Sequence, residues 1–90
     1  MTYCVQGFAS GRVQGVHYRQ FTQTHARALQ ITGWVKNLDD GRVAFALSGR
    51  IDAVEQLLTQ LRQGPPHANV SALEYAERTD AAWDDFTILR

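Results

Sequence analysis

The chain has 90 residues, 44% of them hydrophobic and 20% charged, and its nine Lys and Arg balance nine Asp and Glu to a net charge of zero. A chain of this size buries only about 60 to 65% of its unfolded surface, which supports one core and not two, so a single domain over residues 1–90 is the expectation. The missing basic excess argues against nucleic acid or a membrane surface as partner. The lone Cys4 excludes an intrachain disulfide, and no N-terminal stretch carries the basic flank, apolar centre and small-residue cleavage site of a secretory signal. No apolar run approaches the roughly 18 residues of a membrane span. These features predict a reducing, cytoplasmic setting.

In chain order, the aromatic and β-branched run Thr2 to Ser10 reads as a strand ending at Gly11. A helix is expected from about Tyr18 to Leu29, with Phe21, His25, Ala28 and Leu29 at the spacing of one helical face. Gly33 to Gly49 holds two β-rich runs around Asp40-Gly41, a strong hairpin signal, and Val43, Phe45 and Leu47 alternate as a half-buried strand should. Asp52 followed by Glu55 resembles a capping box, and Val54, Leu57, Leu58 and Leu61 form the apolar stripe of a second helix. Gly64 and Pro65-Pro66 end it. Two more β-like runs follow, Val70 to Arg78 and Phe86 to Leu89. The order predicts an α+β fold of the ferredoxin-like split βαβ type (βαββαβ). An antiparallel sheet would be covered on one face by two helices, with a short extra C-terminal strand.

The stretch "GRVQGVHYRQF", Gly11 to Phe21, lies where the first strand gives way to the first helix. A phosphate needs several donors converging on one point, and main-chain N–H groups supply them when a glycine-permitted loop curls ahead of a helix N-terminus. Arg19, in the first helical turn, would add a planar guanidinium able to grip two phosphate oxygens, which a lysine cannot reproduce. The pattern is neither GxxxxGK[ST] nor GxGxxG, so neither nucleotide fingerprint applies. On spacing alone, a tight turn with Arg19 as a solvated helix residue remains the alternative.

"GRVQGVHYR", Gly11 to Arg19, resembles the first signature of the acylphosphatase family, G-[RK]-V-Q-G-V-x-[FY]-R, at every fixed position. "GWVKNLDDGRVAFALSG", Gly33 to Gly49, resembles the second, G-[aromatic]-[AV]-[KRQ]-N-x-x-x-G-x-V-x-x-x-x-x-G, again with none missed. The resemblance implies metal-independent, cofactor-free hydrolysis of acyl phosphates to a carboxylate and inorganic phosphate. It places the family's phosphate-binding arginine on Arg19 and its water-orienting asparagine on Asn37. The phosphate cradle falls on Arg12, Val13, Gln14, Gly15, Val16, His17 and Tyr18, chiefly the backbone amides of Gln14 to His17. The partner implied is a small acyl phosphate, with phosphate or sulfate as an expected occupant of the cradle, and a monomer is expected.

His17, His25, His67 and Cys4 show no metal-ligand spacing, and His17 falls on a variable position where it would modulate the cradle. Asp39 and Asp40 read as turn formers beside Gly41. Trp34 and Phe45 read as sheet and core residues, Trp83 as a residue near the terminal strand, and Arg42 as a hairpin cation. Leu38 follows Asn37 where a hydroxyl residue would otherwise offer the water a further contact. A non-catalytic phosphate-binding regulatory module of the same fold is the competing function. An RNA-binding sheet would need a basic surface and an aromatic RNA-binding motif that the chain lacks. Related domains fused to hydrogenase-maturation proteins suggest another context, for which this chain's extent makes a free-standing enzyme the expectation.

Overall fold

A computed structural model describes residues 2–78 and 83–89, so the outermost positions of the expected domain, 1 and 90, and residues 79–82 lie outside the described residues. The elements run β1 (Tyr3–Arg12), α1 (Tyr18–Ala28), β2 (Thr32–Asn37), β3 (Val43–Gly49), α2 (Ile51–Gln63), β4 (Asn69–Arg78) and β5 (Phe86–Leu89). They build one sheet in the order β4-β1-β3-β2-β5. β1 is central to the four long strands, antiparallel to β3 from Tyr3↔Gly49 to Ala9↔Val43 and to β4 from Cys4↔Arg78 to Arg12↔Asn69. β2 pairs antiparallel with β3, as the expected hairpin requires. The expected extra strand, β5, adds to β2 in parallel, from Gly33↔Phe86 to Lys36↔Leu89.

Side chains alternate across each strand, so Val5 and Ala9 of β1, Val35 of β2, and Val43, Phe45 and Leu47 of β3 share one face and are fully buried. Both helices cover that face. α2 contributes Val54, Leu57, Leu58 and Leu61, all in the core cluster, and each such side chain stabilises the fold by about 1.5–3 kcal/mol. α1 contributes Tyr18, Thr22 and Ala26, spaced by four residues. This stripe is rotated from the one its apolar residues suggest: Ala28 is exposed, and His25 is only half-buried, packed against Phe21 with ring centroids 4.4 Å apart and planes tilted by 53°. Thr22 occupies the buried position because its hydroxyl donates to the Tyr18 carbonyl at 2.8 Å, which removes the cost of burying it. The second helix also starts differently from the expected capping box. Its N-cap is Arg50, with no side-chain cap, and Asp52 instead pairs with the Arg50 guanidinium at 3.4 Å, a position within the first turn where a carboxylate suits the helix dipole.

Two details of the sheet set the position of its upper end. The β1–β4 register shifts between Ser10 and Gly11, and such a bulge adds twist and re-aims the chain that follows. Gly33 has φ +141, and a Cβ there would collide with the Ala46 carbonyl; β2 and β3 approach this closely because position 33 has no side chain. On the opposite face of the sheet, Gln6, Phe8, Trp34, Ala44, Glu74 and Ala76 line a shallow groove of about 440 Å³. Trp34 thus belongs to the sheet and Phe45 to the core. No described helix is long and apolar enough to cross a membrane.

Candidate active site

Beyond the bulge, loop 13–17 is pinned by two valines and shaped by two positive φ angles. Val13 and Val16 are buried in the core cluster, which leaves Gln14, Gly15 and His17 outside it. Gly15 has φ 74 and His17 φ 64, whereas Gln14 and Val16 keep the ordinary negative sign. Alternation of this kind turns successive N–H groups toward one side and forms a concave nest for an anion. Gly15 adopts its conformation freely; His17 holds a left-handed conformation uncommon for a residue with a Cβ.

His17 is also the N-cap of α1, and no side chain caps that end. The first intrahelical bond is from Phe21 N to the His17 carbonyl at 2.9 Å, so the amides of Tyr18, Arg19 and Gln20 stand ahead of the helical ladder at the positive end of its dipole. The His17 ring bonds the Gln20 carboxamide, with Nδ1 and Oε1 3.1 Å apart. The Tyr18 hydroxyl donates to the Leu61 carbonyl of α2 at 2.8 Å. Leu61 needs that donor, because the residue four positions on is Pro65, which has no N–H. Burial pushes the Tyr18 hydroxyl far above its ordinary range, so it stays a neutral donor.

Asn37 is the last residue of β2, paired with Val43 across the hairpin and on the same strand face as Val35. Its Oδ1 is buried and has no hydrogen-bond partner among the described residues. Arg19 reaches the same place from α1, and its Nη1 donates to the Leu89 carbonyl of β5 at 3.3 Å. β5 is in turn held against α1 by Gln23 Nε2 on the Phe86 carbonyl at 3.0 Å and by the Arg27–Asp85 ion pair at 3.1 Å. The backbone N–H of Phe86 on the Asp85 carboxylate, with Arg27 beside it, holds that carboxyl below its usual range.

Arg19 and Asn37 face one cavity of about 240 Å³, lined by Val13, Gly15, His17, Tyr18, Arg19, Gln20 and Asn37. It is below the roughly 300–1,000 Å³ of sites for drug-sized ligands, and among the described residues its lining holds a guanidinium, an imidazole, a phenol ring and amide groups but no carboxylate, which suits a small anion. Of the residues anticipated for the cradle, Val13, Gly15, His17, Tyr18 and Arg19 line the cavity, while Arg12, Gln14 and Val16 do not. Arg12 is exposed at the end of β1 opposite Asn69. Val16 anchors the loop from below. The Gln14 carboxamide turns away to the hairpin, where Nε2 donates to the carbonyls of Leu38 at 2.7 Å and Arg42 at 2.9 Å.

Gln20 lines the cavity and was not anticipated; its place in the first turn, three residues after His17, is the signal that would have found it. Arg42 lies elsewhere, its Nε on Asp40 at 2.8 Å and its Cζ 4.4 Å from the Phe8 ring centre. Asp40 accepts the Arg42 N–H at 3.0 Å within the turn, as a turn former should. That backbone bond, with the Arg42 guanidinium, lowers the Asp40 carboxyl from its ordinary value.

The chain is similar in sequence and in fold to proteins of one family. A protein named acylphosphatase from Methanothrix thermoacetophila is 47% identical over 89 residues, covering 99% of both chains. The structure of an acylphosphatase from Coxiella burnetii superposes with a TM-score of 0.94 at 38% identity, covering 98% of this chain and 93% of that one. The acylphosphatase from Bacillus subtilis gives 0.94 at 33% identity over the whole of both chains. The family's sequence profile spans residues 5–88, a range that contains the loop, the uncapped helix start and the strand bearing Asn37, and the chain accordingly belongs to the acylphosphatase family.

Proposed function

We propose that this chain is an acylphosphatase whose loop 13–17, Arg19 and Asn37 hydrolyse acyl phosphates to a carboxylate and inorganic phosphate. The observation that carries the reading is the meeting of Arg19 and Asn37 in one small cavity at the start of α1, with the Asn37 carboxamide oxygen buried and without a partner among the described residues. Phosphoryl transfer passes through a loose transition state, so positioning and charge stabilisation supply most of the catalysis. The main-chain donors of the loop and helix start hold the phosphoryl oxygens, and Arg19 adds a fork of N–H groups with fixed charge. Asn37 accepts a hydrogen bond from a water held in line with phosphorus; its carboxamide is neutral, so it orients the water without ionising it.

The oxygen of that water forms the new bond to phosphorus as the bond from phosphorus to the acyl oxygen breaks. The bonding pair leaves on the carboxylate, and the proton released by the water goes to a phosphoryl oxygen. The leaving carboxylate is stable unprotonated at neutral pH, so no general acid is required. Phosphate, a product, and sulfate of similar shape bind the same cradle. The domain acts as a cytoplasmic monomer in this reading.

The test is benzoyl phosphate hydrolysis in excess EDTA by the wild type and by Arg19→Gln, with both shown to be folded by circular dichroism. Turnover that collapses in the variant is expected. A folded wild type without turnover would make the cradle a binding module, and activity surviving in Arg19→Gln would move the active site elsewhere.

A further inference from the structure

Gln14 neighbours the cavity in sequence without lining it, and its carboxamide spends both of its hydrogens on the hairpin. Leu38 O accepts from Gly41 N at 3.2 Å and from Gln14 Nε2 at 2.7 Å. Arg42 O accepts from Leu38 N at 2.8 Å and from Gln14 Nε2 at 2.9 Å. Each carbonyl has two lone pairs and a primary amide nitrogen has two hydrogens, so the four groups are matched one to one. A carboxylate of the same length would bring oxygen against two carbonyl oxygens, and asparagine is one methylene shorter.

The position of this clasp matters more than its strength. Gln14 is bonded directly to Gly15, which lines the cavity, and Leu38 is bonded directly to Asn37, which lines it from the other side. The clasp therefore joins the two walls one peptide outside the place where they must cooperate. Val13 and Val16 fix the loop to the core independently, whereas the turn beyond Asn37 is exposed from Asp39 to Gly41. We infer that Gln14 is a positioning residue that sets the distance between the phosphate cradle and Asn37. Its side chain acts through Asn37 and touches neither phosphate nor water. The inference rests on the hydrolase reading given above, because it concerns the alignment of water with phosphorus. A misplacement of about 1 Å between reacting groups costs on the order of 100-fold in rate.

The experiment measures kcat and KM for benzoyl phosphate, and the inhibition constant of inorganic phosphate, in wild type, Gln14→Leu, Asn37→Ala and the double variant. Gln14→Leu is expected to lower kcat by about 10- to 100-fold while phosphate inhibition stays within about threefold, since the cradle is anchored by the valines. In the Asn37→Ala background the same substitution is expected to lower kcat by less than about threefold, because the group it positions is gone. A general structural role would instead reduce kcat by the same factor in both backgrounds, and that result overturns the inference. So does wild-type kcat in folded Gln14→Leu, or a loss of phosphate affinity parallel to the loss of kcat. Gln14→Met, of matched length and unbranched, is read by the same criteria if the leucine variant does not fold. Wild type without turnover would refute the hydrolase reading, and Arg19→Gln with turnover would move the active site elsewhere; either result overturns this inference as well. An active wild type, an inactive Arg19→Gln and a normal Gln14→Leu would refute this inference alone.

Discussion

Replacing Tyr18 by Phe isolates one hydrogen bond at the junction of the two helices. The ring is 1% exposed, so Phe keeps its packing, and only the donor to the Leu61 carbonyl at 2.8 Å is lost. No backbone N–H takes its place, because Pro65 stands where the next helical donor would be. A buried carbonyl left without a partner costs about 1–3 kcal/mol. At about 4–8 °C per kcal/mol for a domain of this size, Tm falls by roughly 5–20 °C. Thermal melts at pH 7 followed by circular dichroism measure this directly, and a fall of less than about 2 °C would refute the reasoning.

The same substitution changes the alkaline limb of stability. Burial raises the Tyr18 hydroxyl above its ordinary 10.0, so above that pH the unfolded chain releases a proton that the folded chain keeps. The folded state then binds more protons, and its stability drops by up to about 1.4 kcal/mol per pH unit from this group. Wild type begins to lose this contribution above pH 10 and goes on losing it toward the raised folded value, and Tyr18→Phe never had it. The two stability curves, measured by urea unfolding, are expected to converge in that interval; curves that stay parallel would show that the hydroxyl ionises normally in the fold.

Arg19→Lys keeps the charge but loses the planar fork, and kcat/KM for benzoyl phosphate is expected to drop by about 100- to 1,000-fold; activity within about threefold of wild type would contradict bidentate grip. Asn37→Ala is expected to lower kcat on a similar scale while the inhibition constant of phosphate changes far less, and a near-normal kcat would remove its water-orienting role. Gly33→Ala forces a left-handed φ on a residue with a Cβ and drives that carbon into the Ala46 carbonyl, so a loss of about 2 kcal/mol or more is expected in urea unfolding; a stability equal to wild type would mean that β2 and β3 separate at little cost. The Asp85 carboxyl, held down chiefly by the Phe86 N–H and also by Arg27, should titrate by NMR with a midpoint below the ordinary 3.8. Its contribution is present above the unfolded pKa and lost as pH falls through the folded one, and a midpoint at or above the ordinary value would contradict the geometry.

Periodicity revealed the parts of the fold where hydrophobicity and burial coincide. The alternation of Val43, Phe45 and Leu47 and the stripe Val54, Leu57, Leu58 and Leu61 mark β3 and α2 because each apolar position is a core position. α1 departs from that rule, since Thr22 meets its own hydrogen-bonding need within the helix and occupies a core place that hydrophobicity assigns elsewhere. The parallel pairing of β5 was equally hidden, because alternation shows that a segment is extended and not which way its neighbour runs. At the site, glycine spacing suggested a curled loop, but the partnership of Arg19 with Asn37 came from the family resemblance; nothing local in either segment points to the other. Gln14 was legible as part of the cradle through its backbone, while the destination of its side chain depends on where the hairpin folds back.

The order β4-β1-β3-β2-β5 also governs time. β1 takes both of its partners from later in the chain, from Ala9 to Val43 at the nearest and from Cys4 to Arg78 at the farthest. Each pairing must close a long loop before its hydrogen bonds repay the entropy, and sheets built this way typically fold on the millisecond-to-second scale. The hairpin of β2 and β3, being local, can form early, yet it brings Asn37 to the loop only once β3 has docked on β1. Recovery of activity after dilution from denaturant should therefore trail hairpin formation and keep pace with closure of the central strand.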